Sequence, residues 1–326
     1  MHLVLNSYGT SLKKENGLFV ISTQEGKQSL SPRDVKTISI SKGARISSDA
    51  VLLAIENQID ILFLDGTGMP MGRVWSIKYG SISDIRQKQI EFLYSDKCLP
   101  WVKRLIAEKI NNQIALLLTF KPEDQHQAAL MIKQTINSLE DYKLKVGSAE
   151  GVIVADVAPS LRGWEGLSAK KYFKCLSVLL PEPYQFEKRS HNPAADEFNA
   201  ALNYGYGILY GKIESSLIKA GIDPYVGIFH RDDYNRPALV FDIIEKFRIW
   251  IDYVIVQLFL QMAFSDECFV KNETMCYLDG LGKRIVIQSI NDYLGEIILL
   301  NKLERSRAVH IDLYANSLAQ EFLKHN

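Results

Sequence analysis

The spacing of apolar residues changes once along the chain, near residue 80. Before that point the runs are short. "HLVLNS", "GLFVIST", "VKTISIS" and "IDILFLD" are rich in β-branched and aromatic residues and have strand length. Turn residues such as Glu15-Asn16-Gly17 separate them. One helical insert, "SSDAVLLAIENQ", opens on a serine cap signal, and "GTGMPMGRVW" predicts a turn into a last extended piece. Beyond residue 80 the period lengthens. In "WVKRLIAEKINNQIALLLTF" the apolar residues Leu105, Ile106, Ile110, Ile114 and Leu117 fall at helical spacing, with Lys103, Arg104, Lys109 and Lys121 on the polar side. Further helices are predicted over 124–139, 167–180, 195–220, 236–264 and 308–323, and the proline-bracketed stretch "LPEPYQFEKRSHNP" predicts a loop. The fold class is therefore α+β: a small N-terminal β domain over 1–80, a linker near 76–84, and a larger all-helical domain over 81–326.

Composition narrows the class. The apolar and charged fractions are those of a globular protein with a sizeable core. Lys and Arg number 38 and Asp and Glu 38, so no chain-wide attraction for nucleic acid follows, while a local basic face stays open. Cys98, Cys175, Cys268 and Cys276 lie far apart without a CxxC pair, which argues against a zinc site or a disulfide framework. The N-terminal stretch lacks the basic-then-apolar layout of a signal peptide, and the apolar run 249–264 is broken by Asp252, Gln257 and Gln261. A soluble, cytoplasmic chain with no membrane association is expected.

That last run holds the most informative residues. Asp242, Glu245 and Asp252 share a stripe of a helix whose other residues are apolar nearly all round. Buried carboxylates need compensation: a metal ion, Arg248, or a ligand's positive group could provide it. A purely structural reading pairs Glu245 and Asp252 with Arg248, but leaves Asp242 without an evident partner. His230 ends the apolar run "VGIF" shortly before, so that an imidazole and carboxylates are weak evidence for a metal site. Upstream, Glu165 stands in "LRGWEGLSAKKYFKCL", read as the first turn of a helix, where the helix dipole alone would explain an acid. Arg162, Lys170, Lys171 and Lys174 surround it, either as a solvated face or as phosphate contacts. No GxxxxGK[ST] loop, GxSxG elbow or HExxH occurs, and "GLGKRI" lacks the P-loop spacing.

Taken in order, "GWEGLSAKKYF", "SHNPAADEFNAALNYGYGILYGKIESSLIKAGIDPYVGIFH" and "LVFDIIEKFRIWIDYVIV" resemble the CRISPR adaptation integrases, the endonucleases that insert spacers into CRISPR arrays. The resemblance spans nearly the whole chain and includes "ISSDAVLLAIENQIDILFLDGTGMPMGRV" of the β domain. It implies metal binding by Glu165, His230 and Glu245, with Asp242 a further catalytic acid close by, and Mg²⁺ or Mn²⁺ as the cofactor. It also implies a homodimer joined through the β domains, DNA partners (spacer precursor and CRISPR repeat), and a small second adaptation protein. The expected reaction is attack of a DNA 3′-hydroxyl on a phosphodiester. From position alone, Lys170, Lys171, Lys174, Arg189 and Arg248 are the nearest bases for DNA phosphates. Two alternatives remain: a metal-dependent nuclease on branched or single-stranded DNA, and a non-catalytic scaffold.

Overall fold

A computed structural model describes residues 1–65, 70–74, 82–122, 127–191, 193–230, 236–272 and 275–324. The chain forms two compact units, Met1–Gly80 and Ser81–Asn326. The suggested linker near 76–84 falls largely outside the described residues.

The first unit holds β1 (His2–Leu5), β2 (Ser11–Glu15), β3 (Leu18–Thr23), β4 (Gly26–Leu30), β5 (Thr37–Ser41), β6 (Arg45–Ile46), helix α1 (Ser48–Glu56), β7 (Asp60–Leu64) and β8 (Pro70–Val74). They make two four-stranded sheets, β1-β5-β7-β8 and β4-β3-β2-β6. The period-two pattern explains the register. Leu3 pairs with Ile38 and Ile38 with Ile61, and all three are buried on one face of the first sheet. Between β2 and β3 a two-residue turn puts both Asn16 and Gly17 at positive φ, the left-handed backbone that this residue pair tolerates best. Helix α1 begins where the serine signal put it: the Ser47 hydroxyl accepts from the Ala50 amide at 3.2 Å. Leu12, Phe19, Ala50 and Leu53 complete this core.

The second unit is mainly helical: α2 (Ile82–Phe92), α3 (Cys98–Thr119), α4 (Gln127–Ser148), α5 (Val154–Leu179), α6 (Glu197–Lys219), α7 (Ala238–Leu260), α8 (Gly280–Gly295) and α9 (Arg307–Leu323). The expectation of an all-helical unit is modified by two short hairpins, β9 (Phe269–Lys271) with β10 (Cys276–Leu278) and β11 (Ile297–Leu300) with β12 (Leu303–Ser306). In the second hairpin Asn301 and Lys302 both take positive φ, a two-residue turn without the glycine that would have signalled it. Helix α8 was likewise not foreseen. "GLGKRI" forms its first turn, and Gly282 sits so close to the Cys268 carbonyl and Leu278 that a Cβ would clash. Among the described residues no helix is long and apolar enough to cross a membrane.

Helix α7 runs through the middle of this unit, buried along most of its length, as its all-round apolar composition predicts. It packs on α6 and α3. The approach to α6 is close because Gly205 has no side chain: a Cβ there would stand 2.7 Å from Ile251 Cγ2 and 3.1 Å from Ile290 Cδ1. Alanine at 205 should gain about 1 kcal/mol of helix propensity yet lose about 1–3 kcal/mol to overpacking, for a net lower urea midpoint. Gly163 of α5 has open space where a Cβ would go, so Gly163→Ala should add roughly 0.5–1 kcal/mol of stability and raise the midpoint. Equal midpoints for the two variants would contradict this packing.

Candidate active site

Three helices bring charge to one point. Lys109 comes from α3, Glu165 from α5, and Glu245 with Arg248 from α7. Lys109 Nζ donates to Glu165 Oε1 at 2.6 Å and lies 2.6 Å from Glu245 Oε2, while Arg248 Nη2 is 3.0 Å from Glu245 Oε1. Lysine and glutamates are 8–13% exposed. The one ammonium therefore ion-pairs with both glutamates. Burial opposes the charge on Glu245, but Arg248 and Lys109 outweigh it and hold the carboxyl below its usual range. Burial also opposes the charge on Lys109, and Glu165 with Glu245 more than restores it.

Asp242 stands behind this centre. It is fully buried, and its carboxylate accepts the backbone N–H groups of Ile228 (2.7 Å), Phe229 (3.1 Å) and His230 (3.0 Å). Its Oδ1 is also 2.7 Å from His230 Nδ1. With Nδ1–H donating there, Nε2 keeps the lone pair that a metal or a proton would take. Burial lowers the pKa of the imidazole, but the hydrogen bond and charge of Asp242, with the charges of Glu165 and Glu245, raise it above the ordinary value. The acid with no evident partner in the sequence is thus the one that shapes the histidine turn.

Asp252, two turns beyond Glu245, is not held by Arg248 as the ion-pair reading expected. It accepts the hydroxyls of Tyr172 (2.7 Å) and Tyr206 (2.5 Å). Burial raises its pKa more than these bonds and the nearby Arg248 and Arg189 lower it. Arg189, from the predicted loop, donates to Asn199 Oδ1 at 2.7 Å and to Asn203, and lies over the rings of Phe173 and Tyr206. Arg248 also lies over the Tyr206 ring, with its guanidinium carbon 4.7 Å from the ring centre.

These groups border a cleft of about 550 Å³, which Lys109, Gln113, Glu165, Arg189, Glu245 and Arg248 help to line. Seven of its lining residues are Lys or Arg and four are Asp or Glu, so a neutral chain presents a locally basic cleft around an acidic centre. Lys170 and Lys174 belong to this lining; Lys171 does not, and reaches Ser138 Oγ at 3.2 Å on an exposed face. Glu165 lies well inside a 26-residue helix and not in a first turn, which removes the helix-dipole explanation for it. Sequence reading missed Lys109, Tyr172 and Tyr206. Lys109 looked like one more base on a polar helix face, and its partners are remote in sequence.

Two carboxylates that converge on one position, where a cationic ammonium already sits, are a donor set that suits a hard cation. His230 is near enough for its charge to be felt, although among the described residues no three His, Cys, Asp or Glu side chains are already gathered as a ligand set.

Fold and cleft together define a two-unit α+β protein with an acidic centre inside a basic cleft. Residues 3–292 match the family of CRISPR associated protein Cas1, and the chain belongs to that family. A curated relative, CRISPR-associated endonuclease Cas1 1 of Archaeoglobus fulgidus, is 31% identical over 307 residues, covering 90% of this chain and 88% of its own. A casposase solved bound to its integration product is similar with a TM-score of 0.81 at 21% identity, covering 100% of this chain and 91% of the other. A chain of a Cas6-RT-Cas1–Cas2 complex gives 0.81 at 21%, covering 99% of this chain and 35% of that longer one.

Proposed function

We propose that this chain is a divalent-metal-dependent DNA integrase that joins spacer DNA to a CRISPR repeat. The observation that carries the reading is the convergence of Glu165 and Glu245, from separate helices, on one cation position at the base of a basic cleft. Family membership and the likeness to a casposase bound to its integration product support it.

Glu165 and Glu245 would hold Mg²⁺ or Mn²⁺, with His230 as third ligand through Nε2. A bound ion supplies Lewis-acid polarisation of the scissile phosphoryl oxygen and stabilises its developing charge. The chain's own residues do the rest. Asp242 fixes the imidazole tautomer and the course of the turn. Arg248, Lys170 and Lys174 place positive charge where the backbone of the two DNA segments would run. The incoming 3′-oxygen forms a new ester with phosphorus as the old P–O bond breaks, and the proton of the attacking hydroxyl ends in solvent or on the released oxygen. The number of phosphodiesters is conserved, so no nucleotide hydrolysis is required. We also propose assembly as a homodimer through the N-terminal unit and with a small second adaptation protein, a reading favoured by the neighbour solved within a Cas1–Cas2 complex.

One observation favours a second reading, a non-catalytic scaffold: Lys109 satisfies much of the charge of the two glutamates by itself. Strand transfer separates the possibilities. A labelled duplex with a free 3′-hydroxyl is incubated with a supercoiled repeat plasmid, Mn²⁺ and the partner protein, with and without chelator. Chelator-sensitive joining is the expected result; nicking without joining indicates a nuclease, and no reaction a scaffold. The basic rim has a separate signature. Replacing Lys170 and Lys174 by alanine should weaken duplex binding at all sequences and flatten the salt dependence by about 0.9 per lost phosphate contact. An unchanged slope in a filter-binding titration would remove these lysines from the DNA path.

A further inference from the structure

Lys109 occupies the position that the proposed function needs for a metal. Its Nζ is 2.6 Å from an oxygen of each glutamate, and its side chain is 12% exposed. A divalent ion held by the same two carboxylates would leave the ammonium beside a doubly charged neighbour, and in a poorly solvated site that repulsion is strong. The lysine has to move, and its own helix offers a destination. Gln113 lies one turn on, at i+4, lines the same cleft and is 5% exposed, and its Oε1 is buried without a hydrogen-bond partner. A buried amide oxygen left unsatisfied is costly, and an ammonium is well suited to relieve it.

We propose that Lys109 is a resident counter-cation with two positions. It bridges Glu165 and Glu245 while the site holds no metal, and withdraws to Gln113 when a divalent ion enters. The inference rests on the reading of Glu165 and Glu245 as metal ligands. In the first position the ammonium keeps α3, α5 and α7 drawn together against the repulsion of two buried carboxylates. The same contact weakens metal binding, because the ion must displace a cation already in place. Lys109 is thus a positioning residue that sets metal affinity, and its predicted effects on metal-free stability and on metal affinity have opposite signs.

The full-length protein provides the test, with Mn²⁺ as the probe and no DNA. By calorimetry, Lys109→Met should bind Mn²⁺ about tenfold more tightly while melting at a lower temperature than wild type without metal. Gln113→Leu, which removes the receiving oxygen, should bind Mn²⁺ severalfold more weakly than wild type while melting no lower without metal. Mn²⁺ binding by Gln113→Leu equal to wild type, or equal or weaker binding by Lys109→Met, would overturn the inference and leave the metal site standing. Absence of Mn²⁺ binding to all three proteins would overturn the metal reading as well. If Lys109→Met does not fold, Gln113→Leu decides alone.

Discussion

Glu245→Gln is expected to abolish strand joining, with a loss on the order of 10³-fold or more, while the protein stays folded. The substitution keeps the shape of the side chain and removes the charge that opposes Lys109 and Arg248. Removing a single preorganised group that stabilises developing charge costs about 10²–10³ in rate, and loss of a charged ligand of the ion exceeds that. Binding of duplex DNA should be retained, or should improve slightly, because one negative charge leaves a basic cleft. A gel-based joining assay beside a circular-dichroism melt measures both. Wild-type joining by Glu245→Gln would place the chemistry elsewhere in the chain.

Asp242→Ala should have the largest effect on stability. The carboxylate accepts from three successive backbone amides and from His230 Nδ1, all in or next to the core, so alanine strands four donors and leaves a cavity. Breaking a buried charged network of this kind costs about 3–5 kcal/mol. Asp242→Asn keeps the volume but offers one acceptor oxygen in place of two, so about half that cost is expected. Both variants should also lose metal affinity, because the histidine turn loses its anchor. The denaturant midpoint measured with and without Mn²⁺ checks this. A loss under 1 kcal/mol for Asp242→Ala would show that the turn is held by other contacts.

The carboxylates of α7 were legible in the sequence because burial and charge conflict there locally: an apolar run with three acids is anomalous without any knowledge of partners. The hairpin at Asn16-Gly17 and the cap at Ser47 were legible for a similar reason, since both are set by neighbouring residues. The start of α5 was not. The periodicity predicts a helix only from residue 167, whereas the helix extends from Val154 to Leu179, through Pro159, Gly163 and Gly166. Pro159 forfeits one hydrogen bond near the helix start, and burial of Leu161, Ser168, Tyr172, Phe173 and Leu176 on one side outweighs that loss. The Asn301-Lys302 hairpin escaped because its turn lacks glycine, and helix α8 because Gly280 and Gly282 in its first turn are poor helix formers. In the site, Glu165, His230 and Glu245 were named from an ordered set of motifs. The roles of Lys109 and of the Tyr172–Tyr206 pair depend on contacts between remote helices, which no local pattern encodes.

The chemistry proposed for this cleft depends on where a divalent ion binds. A crystal soaked in Mn²⁺ and measured at a wavelength where manganese scatters anomalously gives the answer directly. One peak is expected within ligand distance (about 2.2 Å) of carboxylate oxygens of Glu165 and Glu245, with His230 Nε2 turned to it and Lys109 moved off the two glutamates. A peak bound to other side chains, or full Mn²⁺ occupancy with Lys109 still bridging Glu165 and Glu245, would contradict that placement.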